Sequence, residues 1–121
     1  MSPTVRSLQK LRAEGWTAEK VERPWNPYTK RTQDLFGFAD IIAFNGLETI
    51  LVQTTSGDGG NLSARVKKIL ASDIARTWIV SDFRRIVCHG WAKRGARGKR
   101  KLWTCRVVDP FGATSQPACQ R

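Results

Sequence analysis

The sequence predicts a single α/β domain with its elements in the order α-β-β-β-α-β-β-β. The chain has 121 residues, which is enough for one domain with a modest core and too few for two. Apolar residues recur at helical spacing near the N-terminus and again in residues 61–70. Between these segments, β-branched and aromatic residues crowd both sides of an Asn-Gly pair, which is typical of a β-hairpin.

The first half of the chain is predicted to contain one helix and three strands. Ser2 and Pro3 form a helix cap followed by a first-turn proline. A strand follows over residues 17–23. Residues 24–37 are expected to be an irregular polar segment, because prolines and charged residues interrupt regular structure there. Residues 38–55 then form the hairpin.

The second half is predicted to contain a short helix, a buried strand and a second hairpin. These elements cover residues 61–70, 77–80, 84–92 and 102–108. His89, the single histidine, is expected to be a packed strand residue rather than a catalytic base. The predicted domain spans residues 1–110, and residues 111–121 form a C-terminal tail.

The charge of the chain indicates a polyanionic partner. Lys and Arg together number 21 against 10 Asp and Glu, which gives a net charge of +11. Such an excess favours DNA, RNA or an anionic membrane as partner. No apolar run approaches the ~20 residues of a membrane span, so no membrane association is expected. Three cysteines without metal-type spacing and a polar N-terminus predict a reduced, cytoplasmic location.

The first hairpin places polar residues on one face of the predicted sheet. If the Asn-Gly pair forms a two-residue turn, Asp40 lies directly opposite Leu51. Because side chains alternate between faces along a strand, Asp40 then shares a face with Gln53 and Thr55. An acid diagonally across from a Gln-x-Thr pair predicts a functional site, or the remains of one.

These residues resemble the core motif of the PD-(D/E)XK nuclease superfamily. That motif has Gly-x-x-Asp on the second strand and acid-x-Lys thirteen positions later on the third, and Gly37-Phe-Ala-Asp40 and Gln53-Thr-Thr55 stand at this spacing. Over roughly residues 5–108 the chain is similar to small phage and bacterial members, which are related in pattern to Holliday junction resolvases and virus-type replication-repair nucleases. The resemblance implies a restriction-endonuclease-like core, a mixed central β-sheet flanked by helices, and a virus-encoded or bacterial intracellular protein.

The resemblance also implies a reaction and its residues. The expected activity is Mg²⁺-dependent (or Mn²⁺-dependent) endonucleolytic cleavage of DNA, including branched or junction DNA. Asp40 would be the principal metal ligand, Gln53 a second and Glu22 an additional acid. Asp34 could be a second acid of the site or could hold its loop through local hydrogen bonds. A homodimer is expected, since two sites are needed to cut two strands symmetrically.

Two residues depart from the family motif. Gln53 replaces an acid, so it offers an oxygen without charge, and Thr55 replaces the motif lysine. Lys67 or Lys68 on the following helix could supply the missing ammonium. The alternative is a catalytically inactive nucleic-acid-binding module that kept the nuclease fold, and a third option is a basic RNA- or assembly-binding protein.

The segment of residues 93–101 is predicted to contact nucleic acid. Six of its nine residues are Lys or Arg, and two glycines allow it to move. Such a loop suits contacts with phosphates, which give affinity without sequence preference, although it could also be a solvated loop that aids solubility. Trp103 beside it is expected to be exposed. The full set of predicted nucleic-acid-binding residues is Lys30, Arg31, Arg65, Lys67, Lys93, Arg94, Arg97, Lys99, Arg100 and Lys101.

Overall fold

The computed structural model of the chain describes residues 1–21, 23–28, 31–57 and 60–112. Its helices and strands, in chain order, are α1 (Pro3–Ala13), β1 (Thr17–Lys20), β2 (Arg23–Asn26), β3 (Arg31–Gln33), β4 (Ile41–Phe44), β5 (Thr49–Ser56), α2 (Gly60–Leu70), α3 (Asp73–Trp78), β6 (Arg84–Arg94) and β7 (Leu102–Val108). The main sheet has the order β1-β4-β5-β6-β7. Only the β5–β6 pair is parallel, and α2 and α3 form the crossover that a parallel pair requires. The α/β class is therefore confirmed.

Helices cover both faces of this mixed sheet, because alternate strand residues are apolar on each side. One face packs against α1 through a cluster that includes Leu11, Ile50 and Val52. The other face packs against α2 through a cluster that includes Leu51 and Ile69. No helix in the described part of the chain has the length and apolarity that a membrane span requires.

Ser7 links α1 to β6 through buried hydrogen bonds. Its hydroxyl is fully buried, accepts the Trp91 indole N–H at 2.8 Å and lies 2.8 Å from His89 Nδ1. His89 is itself only 2% exposed, so its predicted place as a packed strand residue is confirmed. The three polar groups satisfy one another at a position where water cannot replace a lost partner.

We expect Ser7→Ala to lower the free energy of unfolding by about 2–3 kcal/mol, because a buried indole N–H and a buried imidazole nitrogen lose their partner. Urea denaturation at pH 7 measures this change. Ser63→Ala, on the exposed side of α2, is the matched control and should change the free energy by less than about 0.5 kcal/mol. Equal unfolding midpoints for the Ser7 variant and the wild type would contradict the expectation.

The β4–β5 turn is longer than the two-residue turn predicted from its Asn-Gly pair. Phe44 pairs with Thr49, which leaves four residues in the loop. The Asn45 side-chain oxygen accepts the N–H groups of Leu47 and Glu48 at 2.8 and 2.9 Å. The asparagine thus stabilises the turn through its side chain.

The longer turn changes the register of the hairpin. The predicted pairing of Asp40 with Leu51 is wrong, since β4 is shifted by two residues and Ile41 pairs with Val52. This register continues to place Asp40 level with Gln53. A shift of two residues keeps every side chain on its predicted face, because the side-chain period of a strand is two.

Two further segments differ from the predicted order. Residues 77–80 do not form a strand, because Ser72 caps α3 by accepting the Ala75 N–H at 3.2 Å and the helix continues through Trp78. The Trp78 indole then donates to the Arg85 carbonyl at 3.0 Å, which fixes α3 on β6. In the predicted irregular segment, β2 and β3 form a separate two-stranded antiparallel sheet. A two-stranded ribbon has free edges and so tolerates proline.

The predicted boundary at residue 110 stays a prediction. Phe111 packs against the core cluster on the α2 face. Residues 113–121, most of the predicted tail, lie outside the described residues.

Candidate functional site

Asp40 immediately precedes β4 and is bound to the neighbouring strand β5. Its side chain is 6% exposed, and its Oδ2 accepts hydrogen bonds from Gln53 Nε2 at 2.9 Å, from the Thr54 N–H at 2.8 Å and from Thr54 Oγ1 at 3.0 Å. Three donors on one oxygen fix the orientation of the carboxyl group. The structure therefore brings Asp40 and Gln53 together, as the sequence predicted.

A tight turn immediately before Asp40 reverses the direction of the chain between Leu35 and Ala39. Phe36 and Gly37 have φ angles of +58° and +83°, the pair of left-handed residues that a type I′ turn requires. Leu35 and Ala39 close the turn with backbone hydrogen bonds of 2.9 Å in both directions. Glycine occupies one of the two left-handed positions without steric cost, which gives the glycine of the Gly-x-x-Asp motif a structural role.

This turn places a second carboxyl group, that of Asp34, beside Asp40. Burial is the main cause that raises the pKa of Asp40 from 3.8 to about 7. The Thr54 N–H opposes this change, while the hydrogen bond and the negative charge of Asp34 raise the pKa further. Asp34 thus lies next to Asp40, a contact that fits both roles that the sequence left open for it.

The amide oxygen of Gln53 has no hydrogen-bond partner in the described part of the chain, although Gln53 is 2% exposed. A buried oxygen without a donor is costly, so the position favours a ligand that accepts its lone pair. Oxygen atoms of carboxyl and amide groups are the donors that Mg²⁺ prefers, and Asp34, Asp40 and Gln53 supply both kinds; in this structure the amide nitrogen of Gln53, not its oxygen, contacts Asp40. Among the described residues, no group of three His, Cys, Asp or Glu side chains comes together, so an amide is the third donor.

Thr54, which sequence reasoning did not select, contacts Asp40 where Thr55 does not. The hydroxyl of Thr55 is directed to the Ser56 carbonyl at 3.4 Å. Thr54 Oγ1 also lies 3.1 Å from Thr4 Oγ1, which connects the site to the first turn of α1. Because Asp40 stands outside the regular strand, its carboxyl group crosses to the next residue of β5, and strict alternation could not reveal this contact.

The predicted cations of α2 lie on its outer side. Lys67 and Lys68 are exposed, and no hydrogen bond or ion pair in the described part of the chain joins either lysine to Asp40. Lys67 lines a groove with Arg106 of β7, three strands away from β4. Burial raises the pKa of Cys88 to about 12, the negative charge of Asp109 raises it further, and the positive charge of Arg65 has a smaller, opposing effect. Cys88 is the β6 partner of Gln53, so the opposite charges of Asp109 and Arg65 both act near this level of the sheet.

Most of the other predicted basic residues lie on the β6–β7 hairpin. Lys93 and the residues at the hairpin tip are exposed, whereas Arg94 is half-buried and donates to the Thr104 carbonyl at 2.7 Å. Arg31 lies in β3. Glu22 and Lys30 lie outside the described residues. The exposed tip residues are Arg97, Lys99, Arg100 and Lys101.

Comparison of the chain with protein-family models, with curated proteins and with solved structures finds no match. The likeness to the PD-(D/E)XK nucleases therefore stays a prediction from the sequence. The observations that bear on function are the paired carboxyl groups, the free amide oxygen and the exposed basic hairpin.

Two buried groups, Asp40 and His89, have opposite effects on the pH dependence of the folding stability. Burial, with a smaller effect of the Lys10 charge, lowers the pKa of His89 from 6.5 to about 3, whereas the pKa of Asp40 rises from 3.8 to about 7. Between pH 4.5 and 6 the folded state holds a proton on Asp40 and the unfolded state holds one on His89. The two states bind equal numbers of protons, so these groups leave the free energy of unfolding nearly independent of pH.

Substitution of either group should reveal the effect of the other. In Asp40→Asn the remaining group is His89, which binds a proton only in the unfolded state. The free energy of unfolding should therefore rise with pH by about 1.4 kcal/mol per pH unit. In His89→Gln the remaining group is Asp40, which binds a proton only in the folded state. The free energy of unfolding should therefore fall with rising pH. Urea denaturation at several values between pH 4.5 and 6 measures these slopes. Parallel curves for wild type and Asp40→Asn would contradict the raised pKa of Asp40.

Proposed function

We propose that this protein is a Mg²⁺-dependent endodeoxyribonuclease, with its active site at Asp40. The observation that carries the proposal is the buried carboxyl group of Asp40, which has the half-buried Asp34 beside it and accepts a hydrogen bond from Gln53, whose amide oxygen has no partner among the described residues. Clustered carboxyl groups repel one another unless a proton or a cation lies between them. Paired carboxyl groups with a perturbed pKa are characteristic of functional sites.

The position of these residues in the fold supports the same reaction. The candidate ligands lie where β4 and β5, the second and third strands along the chain in the main sheet, run side by side. A helical crossover and a parallel strand follow, as in the α-β-β-β-α-β core of the nucleases that the sequence resembles. The β2–β3 ribbon is an addition to that core. We propose on this basis that the fold is restriction-endonuclease-like.

Asp34, Asp40 and Gln53 would hold the metal ion, with Glu22 as an additional acid. A divalent ion held there would supply polarisation of the phosphate and a lower pKa for water. Thr54 orients the carboxyl group of Asp40 through its N–H and hydroxyl, and Thr4 in turn supports that hydroxyl.

A second candidate function is DNA binding without catalysis. Asp40 Oδ2 already accepts three hydrogen bonds, and Thr55 cannot supply the positive charge of the motif lysine. Both observations favour a module that kept the fold and lost the reaction. The excess of positive charge supports DNA as the ligand in either case.

The test incubates the protein with linear, nicked and four-way-junction DNA, with and without Mg²⁺ or Mn²⁺. Calorimetric titration with Mn²⁺ in the absence of DNA provides a readout that does not depend on cleavage. Cleavage that requires the metal supports the enzyme. DNA binding without cleavage and without Mn²⁺ binding supports the inactive module and overturns the nuclease. Sedimentation of the free protein tests the homodimer expected for cutting two strands.

A further inference from the structure

Trp103 on β7 is an exposed aromatic residue surrounded by positive charge. It is 43% exposed, as the sequence predicted. The Arg6 guanidinium carbon lies 3.9 Å from the centre of its ring, and Lys93 Nζ lies 5.7 Å from that centre. We call Trp103, Arg6 and Lys93 the tryptophan platform. Cation–π contacts of this kind orient the indole and leave part of the ring open to solvent.

The tryptophan platform lies at the base of the basic hairpin. Lys93 is the direct β6 partner of Trp103, so both side chains lie on the face of the sheet that α1 covers. Beyond this pair the hairpin continues into its exposed tip, where Arg97 and Lys99 are among the cations. A partly exposed aromatic ring next to cations satisfies the two needs of a single nucleic-acid strand, a stacking surface for a base and positive charge for the backbone.

We propose that the tryptophan platform binds unpaired bases of single-stranded DNA. The bases of a duplex are stacked on one another and do not offer a free face, whereas those of a single strand do. A purely structural role for the ring would explain its contact with Arg6. It would not explain why 43% of a large apolar side chain remains exposed next to the basic hairpin tip. The inference deepens the proposed function, since it rests on DNA as the ligand.

The geometry also relates the tryptophan platform to the candidate active site. Asp40 lies level with Gln53 and its partner Cys88, whereas Trp103 lies opposite Lys93, five residues further along β6 and three strands across from β4. At about 4.8 Å per strand and about 3.3 Å per residue, the two points are about 20 Å apart. A strand with the duplex spacing of about 3.4 Å per nucleotide covers that distance in about six nucleotides. A substrate with a transition from duplex to single strand would fit both positions.

The first turns of α1 lie near both positions. Thr4 contacts Thr54, which binds Asp40, and Arg6 covers Trp103. A nucleic-acid strand that reaches both positions would therefore pass the N-terminal end of α1. This arrangement assigns Arg6 a contact with the backbone of the bound strand in addition to its contact with the indole.

The experiment measures fluorescence anisotropy of labelled twelve-nucleotide dT in EDTA, so that no metal or cleavage is involved. The control ligands are an abasic strand of the same length and charge and a twelve-base-pair duplex. We expect Trp103→Leu to weaken binding to the dT strand by about tenfold or more, while affinity for the abasic strand and the duplex changes by less than about twofold. Trp103→Phe, which keeps a ring, should recover most of the affinity for dT.

Leu102→Ala is the matched control variant, because Leu102 is 59% exposed next to Trp103 and points to the opposite face. It should bind dT like the wild type. If Trp103→Leu fails to fold, ultraviolet crosslinking of wild-type protein to an oligonucleotide with 5-iodouracil replaces it, and the crosslink should map to Trp103. Equal binding of wild-type protein to dT and abasic strands, or a crosslink elsewhere, overturns the inference. Neither result bears on metal-dependent cleavage, and a failure of cleavage leaves this measurement intact.

Discussion

Asp40→Asn is expected to abolish metal-dependent DNA cleavage and to leave DNA affinity unchanged or higher. The substitution removes the negative charge that a divalent cation requires and preserves the shape of the side chain. The remaining oxygen can still accept the Thr54 N–H, so the loop before β4 should keep its conformation. Changes in the hydrogen-bond partners of metal ligands cost about 10–100-fold, and loss of a charged ligand should cost more than about a hundredfold.

Initial cleavage rates on the preferred DNA substrate, with Mn²⁺ affinity measured in parallel, test this expectation. Asp73→Asn is the control, because Asp73 is an exposed acid of α3 whose ion pair with Arg76 lies far along the chain from the site. It should cut at the wild-type rate. Wild-type cleavage by Asp40→Asn, from a preparation shown to contain no other nuclease, would exclude Asp40 as the metal ligand.

Much of the candidate site was predictable because strand periodicity tolerates an error in register. The sequence placed Asp40 and Gln53 on one face, and the observed shift of two residues preserved that face. The register was mispredicted because the turn has four residues instead of two. The Asn45 side-chain oxygen accepts two backbone N–H groups and so stabilises this longer loop. Local sequence contains both possibilities, and the strand pairing with the rest of the sheet selects one.

Thr54 and Thr4 could not be found in this way. Both contacts depend on how Asp40 leaves the strand and on where α1 crosses the sheet, and these are tertiary properties. Asp34 had a signal, since an acid six residues before Asp40 flanks a glycine turn, but its role depends on the left-handed angles of Phe36 and Gly37. A non-glycine residue at positive φ is uncommon enough that sequence alone does not predict it.

The prediction of a strand over residues 77–80 was wrong because local propensity was outweighed by a helix cap and a tertiary contact. The β-branched residues of this segment have strand propensity, but Ser72 and Asp73 just before them cap a helix and favour its first turn. The indole of Trp78 then gains a carbonyl partner on β6. A helix cap and one tertiary hydrogen bond together outweigh a propensity that spans only about 1 kcal/mol.

Replacement of Arg97, Lys99 and Arg100 by Ala is expected to flatten the salt dependence of DNA binding by about two to three units of slope. Each phosphate that a protein neutralises on duplex DNA contributes about 0.9 to the negative slope of log affinity against log salt. All three side chains are exposed at the hairpin tip, so each can reach a phosphate without rearrangement of the fold. The free energy of unfolding should change little, because exposed charges contribute little to stability.

A salt titration of binding to a labelled duplex and to a four-way junction measures both slopes. Arg76→Ala, at an exposed cation of α3, is the control for a general loss of charge and should leave the slope unchanged. An unchanged slope for the triple variant on both substrates would mean that the tip is only a solvated loop. The double variant of Lys67→Ala and Lys68→Ala would then test the outer side of α2, where both lysines are exposed. A flattened slope for this variant would place the bound DNA on that side of α2.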